Sequence, residues 1–530
     1  MKKSIPLYIF FTLLLSLPIQ ATSQNEKLFD NVKDAMLKAT RFMVEAVSNQ
    51  GGYVWNYTPD RLRIWGEMEA RPSMIWTQAP GTPSMGQLFL DAYHATGNEY
   101  YYQAAEKVAN ALIRGQLDCG GWNYIIDFNG ETSLKEWYET IGKNGWRLEE
   151  FQHYYGNATF DDEATSGPAF FLLRMYLEKF DPQYKPALDK VIDFVLESQY
   201  PIGGWPQRYP LKFDYPKNGN PDYSSFITLN DDVHRNNVQF MIACYQTLGY
   251  PKLLEPIIRA MNCILLLQQG SPQPGWSWQF TTDLKPAGAR TYEPEGLYSG
   301  ATYSCIEMMM DFYEYTGETK FLSRVPDAIE FMESIRLPKE MQKLYPRKLQ
   351  PGQDLYPSCV ETGTNKPLYV HRSGSNSGSG KYYADYNHEK QWMPTFSMRS
   401  YNIQILKDRY NRLKELTPSE ACKNSPLKSS KAEQLPLFFY SRFSSPEITE
   451  IQQIIDELEK HPYWEGHYAS SHPYAGDAPQ EPGSGDFSCT QVGDKYDTSP
   501  FRFNEGAIGI TTRQYIVNMD KLINYLESDK

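Results

Sequence analysis

Gln199-Tyr-Pro-Ile-Gly-Gly-Trp205 decides the fold because it recurs along the chain. Gln116-Leu-Asp-Cys-Gly-Gly-Trp122 repeats it, and Gln268 and Gln269 precede Gly275-Trp276 in the same manner. Gln50-Gly-Gly-Tyr-Val-Trp55 closes an earlier helical stretch running roughly from Leu28 to Ser48. Each copy follows an apolar helix, a short Gly, Asp or Pro turn and a second helix. The second helices begin near Tyr100, Tyr184, Lys252 and Lys320. Pro186, Pro256 and Pro326 stand in the first turns of three of them, where a missing N–H costs nothing. Ala105, Val108, Ala109 and Leu112 form one apolar stripe, and Leu188, Val191, Ile192 and Val195 the next.

Recurring helical hairpins of similar length are repeat architecture. Loops of one type ending every hairpin must gather on one rim. A ring satisfies this best, because an open solenoid needs polar caps that the sequence does not supply. The expected fold is therefore all-α: an α/α toroid, an incomplete α/α barrel of helical hairpins, with long loops and a loop-rich C-terminal extension. Residues 1–21 read as a signal peptide, 22–400 as the toroid catalytic domain, and 401–530 as C-terminal helices with a loop-rich insertion packing on it. Trp55, Trp122, Trp205, Trp276 and Trp278 are expected to line the rim as a platform for sugar rings, the alternative for any one of them being a plug in the barrel end.

Composition narrows the partners. The chain has 530 residues, with 39 Tyr, 11 Trp and a formal net charge of −12. That charge argues against nucleic acid and anionic membranes. A polyanionic substrate would have to be drawn in by a local basic cleft or by bound cations. Lys2 and Lys3, the apolar run Leu7–Leu17 and the small-residue site Ile19-Gln-Ala21 have the layout of a secretory signal. The apolar run is too short to span a bilayer, and no later segment is long enough. A secreted or periplasmic monomer without membrane insertion is expected. The seven cysteines form no CxxC pair, which excludes the common zinc arrangements. Several fall in apolar helical runs and read as buried free thiols; Cys359, Cys422 and Cys489 are the ones open to pairing.

Three polar stretches sit at loop-to-helix junctions on the tryptophan rim: Phe160-Asp-Asp-Glu-Ala-Thr165, Ile227-Thr-Leu-Asn-Asp-Asp232 and Pro286-Ala-Gly-Ala-Arg-Thr-Tyr-Glu293. An acidic residue before a helix is an N-cap by default. Doubled carboxylates exceed what capping needs, and hard oxygen ligands from separate loops suit Ca²⁺. Arg290 in a rigid, aromatic-walled loop suits an anionic ring such as a sugar acid. The competing reading is an Arg290–Glu293 ion pair that pins the loop.

Gly203-Gly-Trp-Pro-Gln-Arg-Tyr-Pro210, Ile227-Thr-Leu-Asn-Asp231, Asn262-Cys-Ile-Leu265 with its glutamines, and Pro286-Ala-Gly-Ala-Arg290 with Tyr292-Glu-Pro294 together resemble the pectate lyases of polysaccharide lyase family 10. The resemblance covers roughly Leu112 to Trp392. It implies Ca²⁺-assisted β-elimination on polygalacturonate in an α/α toroid, with Arg290 as the base at C5. Asp161 and Asp231 would hold the metal. Arg208, Lys285 and Arg372 would hold uronate carboxylates, with Trp205, Glu293 and Lys390 completing the substrate-binding set. An arginine base must work against its own high pKa, which implies an alkaline optimum. The chain departs from the family pattern at Asp161-Asp-Glu163, at Asp232 and His234, and at Lys390, where an arginine is expected. These departures are compatible with a modified or branched uronate polymer, or with lost catalysis. Two other readings remain: an α/α-toroid glycoside hydrolase with paired aspartates as acid and base, and a non-catalytic glycan-binding protein.

Overall fold

A computed structural model describes residues 17–142, 149–213, 216, 221–290, 292–343, 348–373, 381–389, 398–428, 447–468 and 508–528. The signal segment before residue 17, Arg372 as a side chain, Lys390, Trp392, Cys489 and most of 463–500 lie outside the described residues.

The chain forms α1 Leu17–Phe42, α2 Thr82–Thr96, α3 Glu99–Gly115, α4 Glu131–Thr140, α5 Ser166–Lys179, α6 Lys185–Ser198, α7 Val233–Leu248, α8 Leu254–Leu267 and α9 Ser299–Thr316. Then come α10 Val325–Ser334, α11 Ile403–Lys414, α12 Ile448–Glu457 and α13 Thr512–Ser528. Successive inner helices are neighbours: α13 packs on α2, α2 on α5, and α5 on α7. Arg235 of α7 reaches Ser304 and Glu307 of α9, and Arg409 of α11 pairs with Asp311 of α9 at 2.6 Å. The helices α1, α3, α6, α8 and α10 form an outer layer, packed on α13, α2, α5, α7 and α9 respectively. The architecture is an α/α toroid, and α3, α6 and α8 begin within about two residues of where the sequence places them, whereas a short helical turn at Thr319–Ser323 occupies the expected start near Lys320 and α10 begins after it, at Val325.

The repeated glutamine–glycine–tryptophan loop joins one hairpin to the next. Gly51, Gly120 and Gly203 all have φ between +94° and +106°. A Cβ on them would lie 2.3–2.4 Å from the carbonyl oxygens of Lys107, Lys190 and Arg259, each on the next outer helix. Only glycine permits both the backbone conformation and that approach. Gln116, Gln199 and Gln268 donate from Nε2 both within their own loop and to a carbonyl of the following outer-helix segment, at Ala187, Pro256 and Arg324. The indole N–H groups of Trp122, Trp205 and Trp276 donate to Leu112, Val195 and Ile264 at 2.8–2.9 Å. These three indoles are 0% exposed. The expected tryptophan platform is therefore corrected for Trp122, Trp205 and Trp276: they plug the hairpin ends, where the indole fills the core and satisfies an otherwise orphaned helix carbonyl. Trp55 is half-buried and donates to the Gln78 carbonyl.

Short strands sit among the loops: β1 Asn56–Tyr57, β2 Ile64–Trp65, β3 Glu69–Ala70, β4 Ile227–Thr228, β5 Gln279–Phe280, β6 Pro286–Ala287, β7 Met398–Tyr401, β8 Glu465–His467 and β9 Ile508–Thr511. The antiparallel sheet β8-β9-β1-β2-β3 joins the two ends of the described chain, with Asn56 opposite Thr511. Cys359 and Cys422 are free thiols, as are Cys119, Cys244, Cys263 and Cys305. Among the described residues no helix is long and apolar enough to cross a membrane.

Candidate active site

The two acidic stretches occupy equivalent positions in consecutive hairpins. Phe160 precedes a 3₁₀ turn at Asp161–Glu163 leading into α5, and Leu229 precedes one at Asn230–Asp232 leading into α7. Asp162 and Glu163 have φ of 46° and 61°, and Asp231 and Asp232 have φ of 49° and 55°. Consecutive left-handed residues that are not glycine store strain, tolerated where the surroundings impose it. Neither turn makes a side-chain cap bond, so capping does not explain these acids. The alignment pairs Asp162 with Asp231 and Asp161 with Asn230. It also pairs Thr165 with His234. Thr165 accepts the Trp122 N–H at 3.0 Å, whereas the His234 ring packs edge-on to Trp205. Burial lowers the His234 pKa to about 4, so the ring is neutral and bonds the Ala260 carbonyl at 3.1 Å.

The third stretch brings its arginine onto both turns. β4, β5 and β6 form one small sheet, and the Trp278 carbonyl accepts from the N–H groups of Leu229 and Asn230, fixing the acidic turn. Arg290 follows β6. Its side chain is held between Glu150, Glu293 and Asp161: Nε lies 3.1 Å from Glu150 Oε2, Nη1 lies 3.1 Å from Glu293 Oε1, and Nη2 lies 2.7 Å from Asp161 Oδ2. Asp231 Oδ2 is farther, at 3.9 Å from Nη1. Arg290 is 5% exposed and does not project freely from its loop. The Arg290–Glu293 ion pair exists, but as one side of a larger cage that also joins α5, α7 and the 3₁₀ turn at Glu149–Phe151. Phe151 packs against Tyr124, Trp76 and Trp137, which anchors Glu150 beside the guanidinium.

These groups open onto a pocket with about 570 Å³ of empty space. Glu67, Glu150, Asp162, Asp231 and Glu293 line it with carboxylates, and Arg290 and Arg399 with guanidiniums; Trp278, Tyr292 and Asn230 complete the wall. Trp278 stacks on Tyr298 with centroids 4.0 Å apart and is the one rim tryptophan among those lining the pocket. Burial alone would lower the Arg290 pKa; Glu150, Glu293 and Asp161 outweigh it and raise the pKa well above the ordinary value. Burial likewise opposes ionisation of Asp161, yet Arg290 and hydrogen bonds from Asp231, Tyr124 and Gln207 hold its carboxyl below the usual range. Asp162 is pushed well up by burial, then by Asp161 and Glu67. Asp231 is also raised, by desolvation and by Asp162 and Asp161.

The predicted site residues therefore separate. Arg290, Glu293 and Asp231 meet at the pocket, with Asp161 as the buried partner of Arg290, and Asp162 rather than Asp161 lines the wall beside Asp231. Trp205 is sealed in the core. Arg208 is 1% exposed, sandwiched over Tyr155 and Tyr124, and is not among the residues lining the pocket. Lys285 is exposed on the turn between β5 and β6. Glu67, Glu150 and Arg399 escaped the sequence reading, because nothing near them repeats. Gln78, Glu67 and Arg399 come from segments that no repeat marks.

Surplus carboxylate charge and oxygen donors fit a divalent cation such as Ca²⁺. Among the described residues no three His, Cys, Asp or Glu side chains already form a metal cage. The fit is thus to an ion held by two carboxylates and completed by water or substrate oxygens.

Residues 127–390 match the family model for pectic acid lyase. That segment belongs to the pectic acid lyase family. It contains every member of the Arg290 cage, which supports polysaccharide lyase activity at this pocket. A search of curated proteins found no match. Among solved structures, a family 10 polysaccharide lyase mutant from Cellvibrio cellulosa in complex with trigalacturonic acid is 17% identical, with a TM-score of 0.41 over 62% of this chain and 98% of that one. A sugar epimerase from a ruminal bacterium is 8% identical, with a TM-score of 0.42 over 95% and 99%. An α-1,6-mannanase from Salegentibacter is 13% identical, with a TM-score of 0.32 over 62% and 72%.

Proposed function

We propose that the protein is an exported lyase that cleaves polygalacturonate or a related uronate polymer by β-elimination in the Arg290 pocket. The observation that carries this reading is the meeting of Arg290 with Asp161 and Asp231, from three separate hairpins, inside the segment that matches the pectic acid lyases. In the reaction the C5 proton leaves to a base, its electron pair forms the C4=C5 double bond, and the C4–O bond to the neighbouring sugar breaks with its electron pair going to the oxygen, which takes a proton from water. Arg290 is the group assigned to the proton. Its neutral form is opposed by Glu150, Glu293 and Asp161, so proton removal is expected only toward alkaline pH. In its charged form the same guanidinium neutralises the uronate carboxylate and stabilises the enolate-like intermediate. Asp231 and Asp162, which line the pocket, are the residues that would hold Ca²⁺, whereas Asp161, first assigned to the metal, is sealed behind Arg290 and acts through the guanidinium. Ca²⁺, when bound, supplies positive charge that acidifies the C5 proton. Arg399 takes the carboxylate-holding role first assigned to Arg208, because it lines the pocket and Arg208 does not.

One observation favours a second reading. Asp162 and Asp231 face one pocket, and their raised pKa values let a protonated acid stand beside an ionised carboxylate, which is what glycoside hydrolysis requires. Incubation with uronate polymers separates the two: elimination creates an unsaturated sugar with new ultraviolet absorbance, whereas hydrolysis releases reducing ends without it.

A further inference from the structure

The pocket is closed on one side by a segment outside the pectic acid lyase match. Glu67 is the tip of the turn between β2 and β3, with Gly66 N–H bonded to the Met68 carbonyl at 3.1 Å. This turn is pinned. A Cβ on Gly66 would lie 2.3 Å from the Trp76 ring, Arg63 and Glu69 make a buried ion pair at 2.8 Å across the hairpin, and Trp137 donates to the Glu69 carbonyl at 2.9 Å. Gln78 fixes the carboxylate itself. Its amide nitrogen donates to Glu67 Oε2 at 3.0 Å and to Asp162 Oδ2 at 2.8 Å, while its own oxygen accepts from the Trp76 indole. The result is a carboxylate held in the pocket wall next to Asp162, close enough to help raise the Asp162 pKa.

We infer that Glu67 determines specificity: it excludes a carboxylate from the position beside the reacting uronate and accepts hydroxyls there, so that the substrate is a polymer in which uronates alternate with neutral sugars. This rests on the lyase reading above and narrows it. A homopolymer of uronates would bring a second carboxylate against the part of the wall where Glu67 is pinned, and a like charge so placed selects against it. A neutral sugar instead offers hydroxyl donors to the Glu67 oxygens, which act as acceptors in the ionised form.

The test compares kcat/KM on polygalacturonate and on a polymer of alternating uronate and neutral sugar, each with Ca²⁺ and with chelator, for the wild type, Glu67→Gln and Glu67→Lys. The expected result is a wild-type preference of about tenfold or more for the alternating polymer. Glu67→Gln should narrow that ratio, mainly by lowering KM for polygalacturonate, and Glu67→Lys should narrow it further. Melting temperatures close to the wild type show that both variants fold. A wild-type preference for polygalacturonate, or a ratio that neither substitution moves in folded protein, overturns the inference. A Ca²⁺-dependent loss on both polymers in equal proportion on Glu67→Gln would make Glu67 a cation ligand and overturn it too. No ultraviolet product from either polymer would sink the lyase reading itself, an outcome distinct from an unchanged ratio.

Discussion

In the proposed elimination, Arg290 works through competing charges with the carboxylates around it. Glu150, Asp161 and Glu293 are all nearly buried, so removing the guanidinium strands three acids in a poorly solvated cage. Breaking a buried ionic network this way costs about 3–5 kcal/mol. Arg290→Ala should therefore abolish elimination and lower the melting temperature, with the stability loss easing in acid as the stranded acids protonate. Arg290→Lys should retain most of the stability yet reduce turnover by roughly 10² or more, because ammonium cannot span three carboxylates as a planar fork. The pH dependence of stability has a definite sign. Asp162 and Asp231 have raised folded pKa values, so their contribution is full below the ordinary carboxylate range and is lost as pH rises through the folded values. His234 acts oppositely: held near a pKa of about 4, it contributes fully above 6.5 and loses that contribution as pH falls. Above pH 6.5 His234 no longer adds to the slope, and the raised carboxylates, Asp162 and Asp231 among them, and the buried thiols pull stability down together as pH rises. Thermal melts from pH 6.5 to 9 should show a falling melting temperature that Asp162→Asn flattens. Added Ca²⁺ should raise the melting temperature more at pH 9 than at pH 6.5.

The hairpin-joining loop is where single side chains decide whether neighbouring elements pack. Gly203→Ala places a Cβ against the Arg259 carbonyl in a left-handed conformation, and should cost about 2–5 kcal/mol. Gly97, at φ +69° with nothing within 4 Å of its would-be Cβ, should lose only about 1 kcal/mol on the same change. Chemical denaturation of the two variants makes the comparison directly. Trp205→Phe removes the indole donor from the Val195 carbonyl and should destabilise by about 1–3 kcal/mol, without changing KM, since a sealed indole touches no substrate. This loop was also the most legible part of the sequence. Gln199, Gly203 and Trp205 recur because each hairpin must solve one docking problem, so their spacing revealed hairpins, order and rim. The same repetition misled the reading of Trp205, since a tryptophan recurring on a rim looks alike whether it faces sugar or core. Arg290, Glu293, Asp161 and Asp231 were legible because doubled acids and a rigid arginine loop exceed what capping needs. Glu150, Glu67 and Arg399 were not. They reach the pocket through a 3₁₀ turn, a hairpin tip and a short strand, and no local pattern signals where such elements land.

Ring closure belongs to the molecule as a whole. The match to pectic acid lyases spans residues 127–390, but α2 and α3 and the closing helices α1 and α13 lie outside it. α13 packs on α1 and α2, with Thr40 and Tyr515 sharing a hydrogen bond at 2.6 Å, and β9 pairs with β1 across the chain ends. The matched segment alone would expose the face of α5 that α2 and α3 cover. A 127–390 fragment should therefore show no cooperative unfolding transition, whereas the full chain should; calorimetry on both checks this. In the proposed reaction one guanidinium, caged by acids from separate hairpins, performs elimination on a uronate polymer. The most direct measurement is ultraviolet absorbance during incubation of the full chain and of Arg290→Ala with uronate polymers, with Ca²⁺ and with chelator. The wild type should give Ca²⁺-dependent absorbance that rises with pH, and the variant none. Reducing ends released without absorbance, or undiminished product from Arg290→Ala, would contradict that reaction.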